Sequence, residues 1–220
     1  MTTMRRAVMV LAIVVGAASP ALAGPPLICF PFQTEGGRML PWLAGTNWNA
    51  QDPAYDIRTL VADTVSLLAP EGPLLTRMEN MRRATIYAMR DPKLAHQLLR
   101  AVMDRALDTT TDGGAWFDAG YLIESFKQAA AIRELGNPEW RAWAAVDEML
   151  RVDGYNWVKK AISMSGPSAE LEFAASLMTE GSVASAHRSR AMAGAPRGGL
   201  LAKNLASRGY LSLIHISEPT

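Results

Sequence analysis

The sequence predicts an all-α fold of seven to nine helices, packed as antiparallel hairpins or an irregular bundle, with an irregular N-terminal segment draped over it. Three observations carry this expectation. From Asp52 onward apolar residues recur three and four positions apart; Pro, Gly, Asn and Asp divide the chain into helix-length stretches; and no run rich in Val, Ile and Thr alternates with period two. Short connections force consecutive helices to run antiparallel.

Residues 24–51 hold Pro25, Pro26, Pro31 and Pro41 with Gly36, Gly37 and Gly45, too many breakers for long regular structure. They also hold Phe30, Phe32, Leu40, Trp42, Leu43 and Trp48, so this segment is expected to dock its aromatics on the domain. Asp52-Pro53 reads as a cap followed by proline in the first helical turn, with Ile57, Leu60, Val61, Thr64, Val65 and Leu68 as the inner stripe. A second helix over 73–89 buries Leu74, Leu75, Met78, Met81, Thr85, Ile86 and Met89. Asp91-Pro92 repeats the cap-and-proline device and starts a helix that buries Leu94, Leu98, Ala101, Val102 and Ala106.

After a turn over 108–114, residues 115–135 form a long helix whose apolar stripe, Trp116, Ala119, Gly120, Ile123, Phe126 and Ala130, is widened by Phe117, Tyr121 and Leu122. A helix apolar around so much of its circumference belongs in the middle of a domain. Gly136-Asn137-Pro138 closes it and opens a helix with Trp140, Trp143, Val146 and Leu150. Asp153-Gly154 and Gly166-Pro167 bound the next, residues 168–178 form another, and the last pieces lie near 183–193 and 200–207.

The two ends are expected to stand outside this fold. Residues 1–23 carry Arg5 and Arg6, an apolar run over 7–15 and Ala21-Leu22-Ala23, the three parts of a signal peptide cleaved before Gly24. The run is too short to span a bilayer, which needs about 20 residues, so the mature chain is expected to have no integral membrane span. Residues 211–220, LSLIHISEPT, resemble the in-frame translation of a transposon-end sequencing adapter and carry no functional argument. The expected organisation is therefore 1–23 signal peptide, 24–51 irregular segment, 52–210 helical domain and 211–220 artefactual tail.

Without Arg5, Arg6 and Glu218, the 22 basic and 21 acidic residues become 20 and 20. That balance speaks against nucleic acid as a partner. One cysteine, Cys29, excludes an internal disulfide, and its apolar neighbours favour burial. His96 and His187 have no ligands at metal spacing near them, and no cofactor motif is present, so neither a metal nor a cofactor is expected. His96 is placed on the solvent side of its helix.

Two basic clusters stand out. Arg77, Arg82, Arg83 and Arg90 surround Glu79, which is spaced to pair with Arg82 or Arg83, and Arg188, Arg190, Arg197, Lys203 and Arg208 lie in an acid-free stretch from 182 to 210. Each reads as a solvated face or as a contact for an anionic partner. Arg77, Arg82, Arg83, Trp140, Trp143, Arg188 and Arg190 are the candidate binding residues.

Two resemblances attach to these residues. Trp116, Ala119 and Gly120 resemble the first helix of a tetratricopeptide repeat, although Ile123 stands where that family has Tyr and no second copy follows at the family's period; the likeness implies hairpin packing. Ile123, Glu124, Ser125 and Phe126, with Tyr155-Asn156 further on, resemble the Glu-Ser and Tyr-Asn elements of lytic transglycosylases, which would make Glu124 a general acid acting on a glycosidic bond. The Gly-Leu-Met-Gln segment of that family is missing, and only 31 positions separate Glu124 from Tyr155. The alternative for Glu124 is a helix glutamate paired to Lys127 or Gln128. The chain as a whole has the look of secreted bacterial helical proteins.

The leading expectation is an exported, non-catalytic helical module, periplasmic or extracellular, that binds a protein or peptide. The alternatives are a peptidoglycan-cleaving enzyme using Glu124 and a structural subunit of an envelope complex.

Overall fold

The computed structural model describes residues 24–45, 47–68, 72–109, 111–134 and 144–210. The expected leader and tail, and the candidates Trp140 and Trp143, lie outside them. Among the described residues the fold is all helical, and the one strand-like pairing is an isolated bridge between Trp42 and Gln51. A 3-10 turn at Ile57–Thr59 leads into α1 (Leu60–Leu67), followed by α2 (Leu74–Ala88), α3 (Pro92–Asp108), α4 (Gly113–Glu134), α5 (Ala144–Met149), α6 (Gly154–Ser165), α7 (Ala169–Leu177), α8 (Gly181–Gly194) and α9 (Leu200–Ser207). No described helix is long and apolar enough to cross a membrane.

The caps explain most of these boundaries. Asp91 accepts from the amides of Lys93 and Leu94, with Pro92 next in the chain; Asp153 accepts from the Asn156 amide; Ser168 accepts from that of Leu171. The first helix starts later than Asp52-Pro53 suggests. Asp52 closes a separate turn through the amides of Ala54 and Tyr55, and Asp56 is the residue that caps the helical turn that follows. Ile57 is consequently exposed rather than buried, whereas Leu60, Thr64 and Leu68 point inward as expected.

α4 is the central rod and packs against α2, α3 and α6. Phe117, Tyr121, Leu122, Ile123 and Phe126 are all buried, each contributing about 1.5–3 kcal/mol of transfer free energy. Its pairing with α6 is antiparallel. Gly113 faces Ser165, Trp116 stacks at a tilt on Trp157 with ring centroids 4.7 Å apart, and Gly120 meets Gly154, so position runs backward along α6 as it runs forward along α4. α7 and α8 pair the same way, with Ala169 against Gly194 and Glu172 against His187 and Arg190.

The N-terminal segment lies on the bundle as expected, anchored by Leu27, Ile28, Phe32 and Leu40, while Trp42 and Trp48 are half-buried and Leu43 is exposed. Phe32 sits edge-on to Phe173 of α7 at 6.1 Å. Cys29 is half-buried and unpaired, and its thiol is pushed up from the ordinary range by burial, against the pull of Arg82.

Candidate functional site

Of the first basic cluster, Arg77 and Arg82 are buried and Arg83 is half-buried, whereas Arg90, beyond the end of α2, is exposed. Arg82 is fully buried: its Nε and Nη2 donate to Glu79 at 2.8 and 2.9 Å, and its Nη1 donates to the backbone carbonyls of Ile28 and Trp48. Arg83 donates to Glu79 and to the Leu40 carbonyl, and Glu79 itself accepts from the Phe32 amide. Glu79 thus pairs with both arginines at the spacing the sequence suggests, but inside the protein. Burial pushes its carboxyl up, yet Arg82, the Phe32 amide and Arg83 together hold it below the usual carboxylate range. Arg77 is 4% exposed and forks onto Asp118, which also receives Arg105 at 2.9 Å.

The same logic recurs at the other end of the chain. Arg208 donates to the carbonyls of Pro26 and Phe30, Asn204 exchanges hydrogen bonds with Gln33, and Asn80 bonds Leu40 and Arg38. A segment without regular structure cannot satisfy its own backbone, so buried side chains do it instead. Arg77, Arg82 and Arg83 are therefore engaged within the fold.

Glu124 is partly covered. Its Oε1 accepts from Lys127 Nζ at 2.7 Å and from the Gly154 amide at 2.9 Å, so it pairs with Lys127 and satisfies a free amide of the first turn of α6. Glu124 borders a cavity of about 400 Å³ at the end of α7, which Glu180 also lines. His96 is half-buried. Arg188 lies with its guanidinium 4.1 Å from the Tyr210 ring centroid.

The concentration of chemistry that remains is at α6, α7 and α8. Glu172, on the buried face of α7, accepts from Arg190 Nε at 2.8 Å and lies 2.5 Å from His187 Nδ1. His187 Nε2 is in turn 2.6 Å from the Tyr155 hydroxyl on α6. Each position follows from the helices. His187 shares the inner stripe of α8 with Ala184 and Ala191, and Arg190 reaches over from the rim at one turn's distance. Tyr155 is set in the first turn of α6 by the Asp153 cap.

Each ring nitrogen's role depends on the tautomer of His187, and the carboxylate is what assigns it. An ionised Glu172, paired with Arg190, accepts only, so His187 carries its hydrogen on Nδ1 and leaves Nε2 bare in the neutral ring. Tyr155 then donates to Nε2. Arg190 Nη2 is 2.7 Å from Nδ1, but both nitrogens carry hydrogen, and that approach is a contact rather than a bond. The result is a carboxylate–imidazole–phenol chain that turns the lone pairs of the Tyr155 oxygen outward. Burial pushes the Tyr155 hydroxyl above its ordinary range while Arg190 pulls it down.

This chain borders an open pocket of about 590 Å³. Ile162, Val183 and Ala186 supply apolar surface, Ser182 a hydroxyl, and Lys159 and Arg190 positive charge. Lys159 has its Nζ 4.9 Å from the Tyr155 ring centroid and is exposed. Among the described residues no group of His, Cys, Asp and Glu is arranged to hold a metal ion.

Compared with family models, curated proteins and solved structures, the chain matches none. The functional reading therefore rests on the site itself.

Of the sequence candidates among the described residues, Arg190 alone belongs to this pocket. Tyr155, Lys159, Glu172 and His187 are the residues that sequence reasoning did not bring together. Tyr155 and Glu172 are 17 positions apart and Glu172 and His187 another 15, with no fixed motif linking them. The one available signal was a lone histidine on the small-residue face of a helix that follows a short acidic one.

Proposed function

We propose that the protein is an exported, non-catalytic helical binding module of the bacterial envelope, and that the pocket between α6 and α8 is its recognition surface. The observation that carries this reading is that Glu172 and His187, both buried at the pocket's inner side, are bonded to Arg190 and Tyr155 and so hold two recognition groups in place at its edge. The order hydroxyl, imidazole, carboxylate is also that of an activated nucleophile, but here the hydroxyl is a phenol and the carboxylate is bonded to Arg190 as well. Here the phenol gives its hydrogen to His187, and burial disfavours the phenolate, so Tyr155 serves as an oriented acceptor. Open, partly apolar pockets with a few converging polar groups are the ordinary form of recognition sites.

Export is part of the proposal and is checked by isolating the protein from the envelope fraction of a bacterial host, where its first residue should be Gly24. The binding reading is tested by placing a photo-crosslinking residue at exposed Val183, on the pocket wall, and at Arg100 on the outer face of α3. A defined adduct from position 183 and none from position 100 supports it. Equal labelling from both, or none from either, overturns it.

A further inference from the structure

We propose that the α6–α8 pocket receives the C-terminal carboxylate of a peptide whose last side chain is apolar. This rests on the reading of the pocket as the recognition surface and names what it recognises.

The charge arrangement carries the argument. Arg190 has spent one edge of its guanidinium, through Nε, on Glu172, and Nη1 makes no hydrogen bond to any described residue. A guanidinium offers five N–H groups on more than one edge and can bind a second carboxylate while keeping the first. With 53% of its side chain exposed, Arg190 is accessible to a ligand in the pocket. Glu172 cancels one positive charge, and Lys159, which makes no ion pair among the described residues, leaves the mouth of the pocket net positive. An anion is the complementary occupant.

The remaining lining narrows the class. Ile162, Val183 and Ala186 form an apolar wall beside the cations, which suits a carboxylate borne on an apolar body rather than a bare inorganic anion. The outward lone pairs of Tyr155 accept from an N–H donor, and the Ser182 hydroxyl can donate or accept. A terminal residue with its own amide N–H, carboxylate and apolar side chain presents all three partners together. About 590 Å³ accommodates two or three residues of such a peptide, and the open shape lets the rest of the chain leave.

The test is a heteronuclear NMR titration of the protein with four probes: an acetylated tripeptide ending in leucine as the free acid, the same tripeptide as its C-terminal amide, acetate and inorganic phosphate. The expected result is saturable shifts centred on Tyr155, Lys159, Ser182 and Arg190 with the acid, and at least tenfold weaker binding of the amide. Lys159→Gln, at an exposed position whose side chain makes no hydrogen bond to any described residue, and Arg190→Gln should each weaken the acid at least threefold. Lys159→Gln keeps the test decisive if the arginine variant unfolds. Acid and amide binding alike, or phosphate binding more tightly than the acid, would overturn the carboxylate assignment. Loss of the acid's preference combined with a clean crosslink at position 183 would sink this inference alone; silence from every probe and no crosslink would sink the recognition reading as well.

Discussion

Gly120 of α4 and Gly154 of α6 are in direct backbone contact: a Cβ built on either residue would enter the carbonyl oxygen of the other. The rest of the α4–α6 interface depends on that approach, because Trp116 and Trp157 meet one turn away and Glu124 reaches the Gly154 amide. Gly120→Ala should therefore destabilise the protein by about 1–3 kcal/mol, the usual cost of overpacking. In an exposed helix the same change would stabilise by about 1 kcal/mol. Urea denaturation compares the two; a midpoint at or above that of the parent would show that the helices separate freely.

The buried Glu79–Arg82 pair makes a second prediction. Removing one partner of such a pair leaves the other charged and unpaired, so Arg82→Ala should cost about 3–5 kcal/mol and free the segment around Ile28 and Trp48. Hydrogen exchange of those amides reports the release. A variant that unfolds with the parent's midpoint would place the arginine outside the structural network.

Glu79 also has a defined pH signature. Its folded carboxyl lies below the ordinary range, so the stability it contributes is present above the unfolded value of about 4.3 and lost as pH falls through the folded value. The parent should lose stability relative to Glu79→Gln on acidification below about pH 5, and the gap between them should be widest near neutrality. Paired denaturation curves from pH 3 to 7 measure the difference. A constant gap across that range would mean that Glu79 titrates as it does in the unfolded chain.

Helix identity was legible because the signals are local. Asp91-Pro92, Asp153-Gly154 and the apolar stripe of α4 each act within one helix, and their boundaries fall within a few residues of expectation. The exception, Asp52-Pro53, shows how two caps in close succession compete, Asp52 being diverted into a turn and Asp56 taking the helix. Burial of the α2 arginines was not legible, since the groups that neutralise them include backbone carbonyls of Ile28, Leu40 and Trp48, dozens of residues away. For the same reason the sequence points to Arg190 but not to Tyr155, Glu172 and His187: three helices bring them together, and no spacing rule connects three helices.

Capping supplies a smaller, local test. The exposed Asp91 carboxylate accepts from two amides of the first turn of α3. Asp91→Ala should cost about 1 kcal/mol, and Asp91→Asn or Asp91→Ser much less. Thermal unfolding of the three variants ranks them; equal losses would assign the effect to charge at the helix end instead of to the cap.

The orientation of the Glu172–His187–Tyr155 chain can be read directly. With Glu172 ionised, the neutral ring of His187 should carry its hydrogen on Nδ1, leaving Nε2 as the acceptor of the Tyr155 hydroxyl. Long-range ¹⁵N correlation spectra distinguish the two nitrogens, and Nε2 should show the shift of an unprotonated imine nitrogen. Glu172→Gln removes the constraint, because a side-chain amide can donate to Nδ1 as well as accept from it. That variant should acquire the Nε2–H tautomer in part, with Tyr155 turned from donor to acceptor. Tyr155→Phe should leave the Nδ1–H tautomer in place, since the carboxylate sets it. If the parent instead shows Nε2–H, the hydroxyl hydrogen of Tyr155 points into the pocket, and the pocket presents a donor where an acceptor is expected.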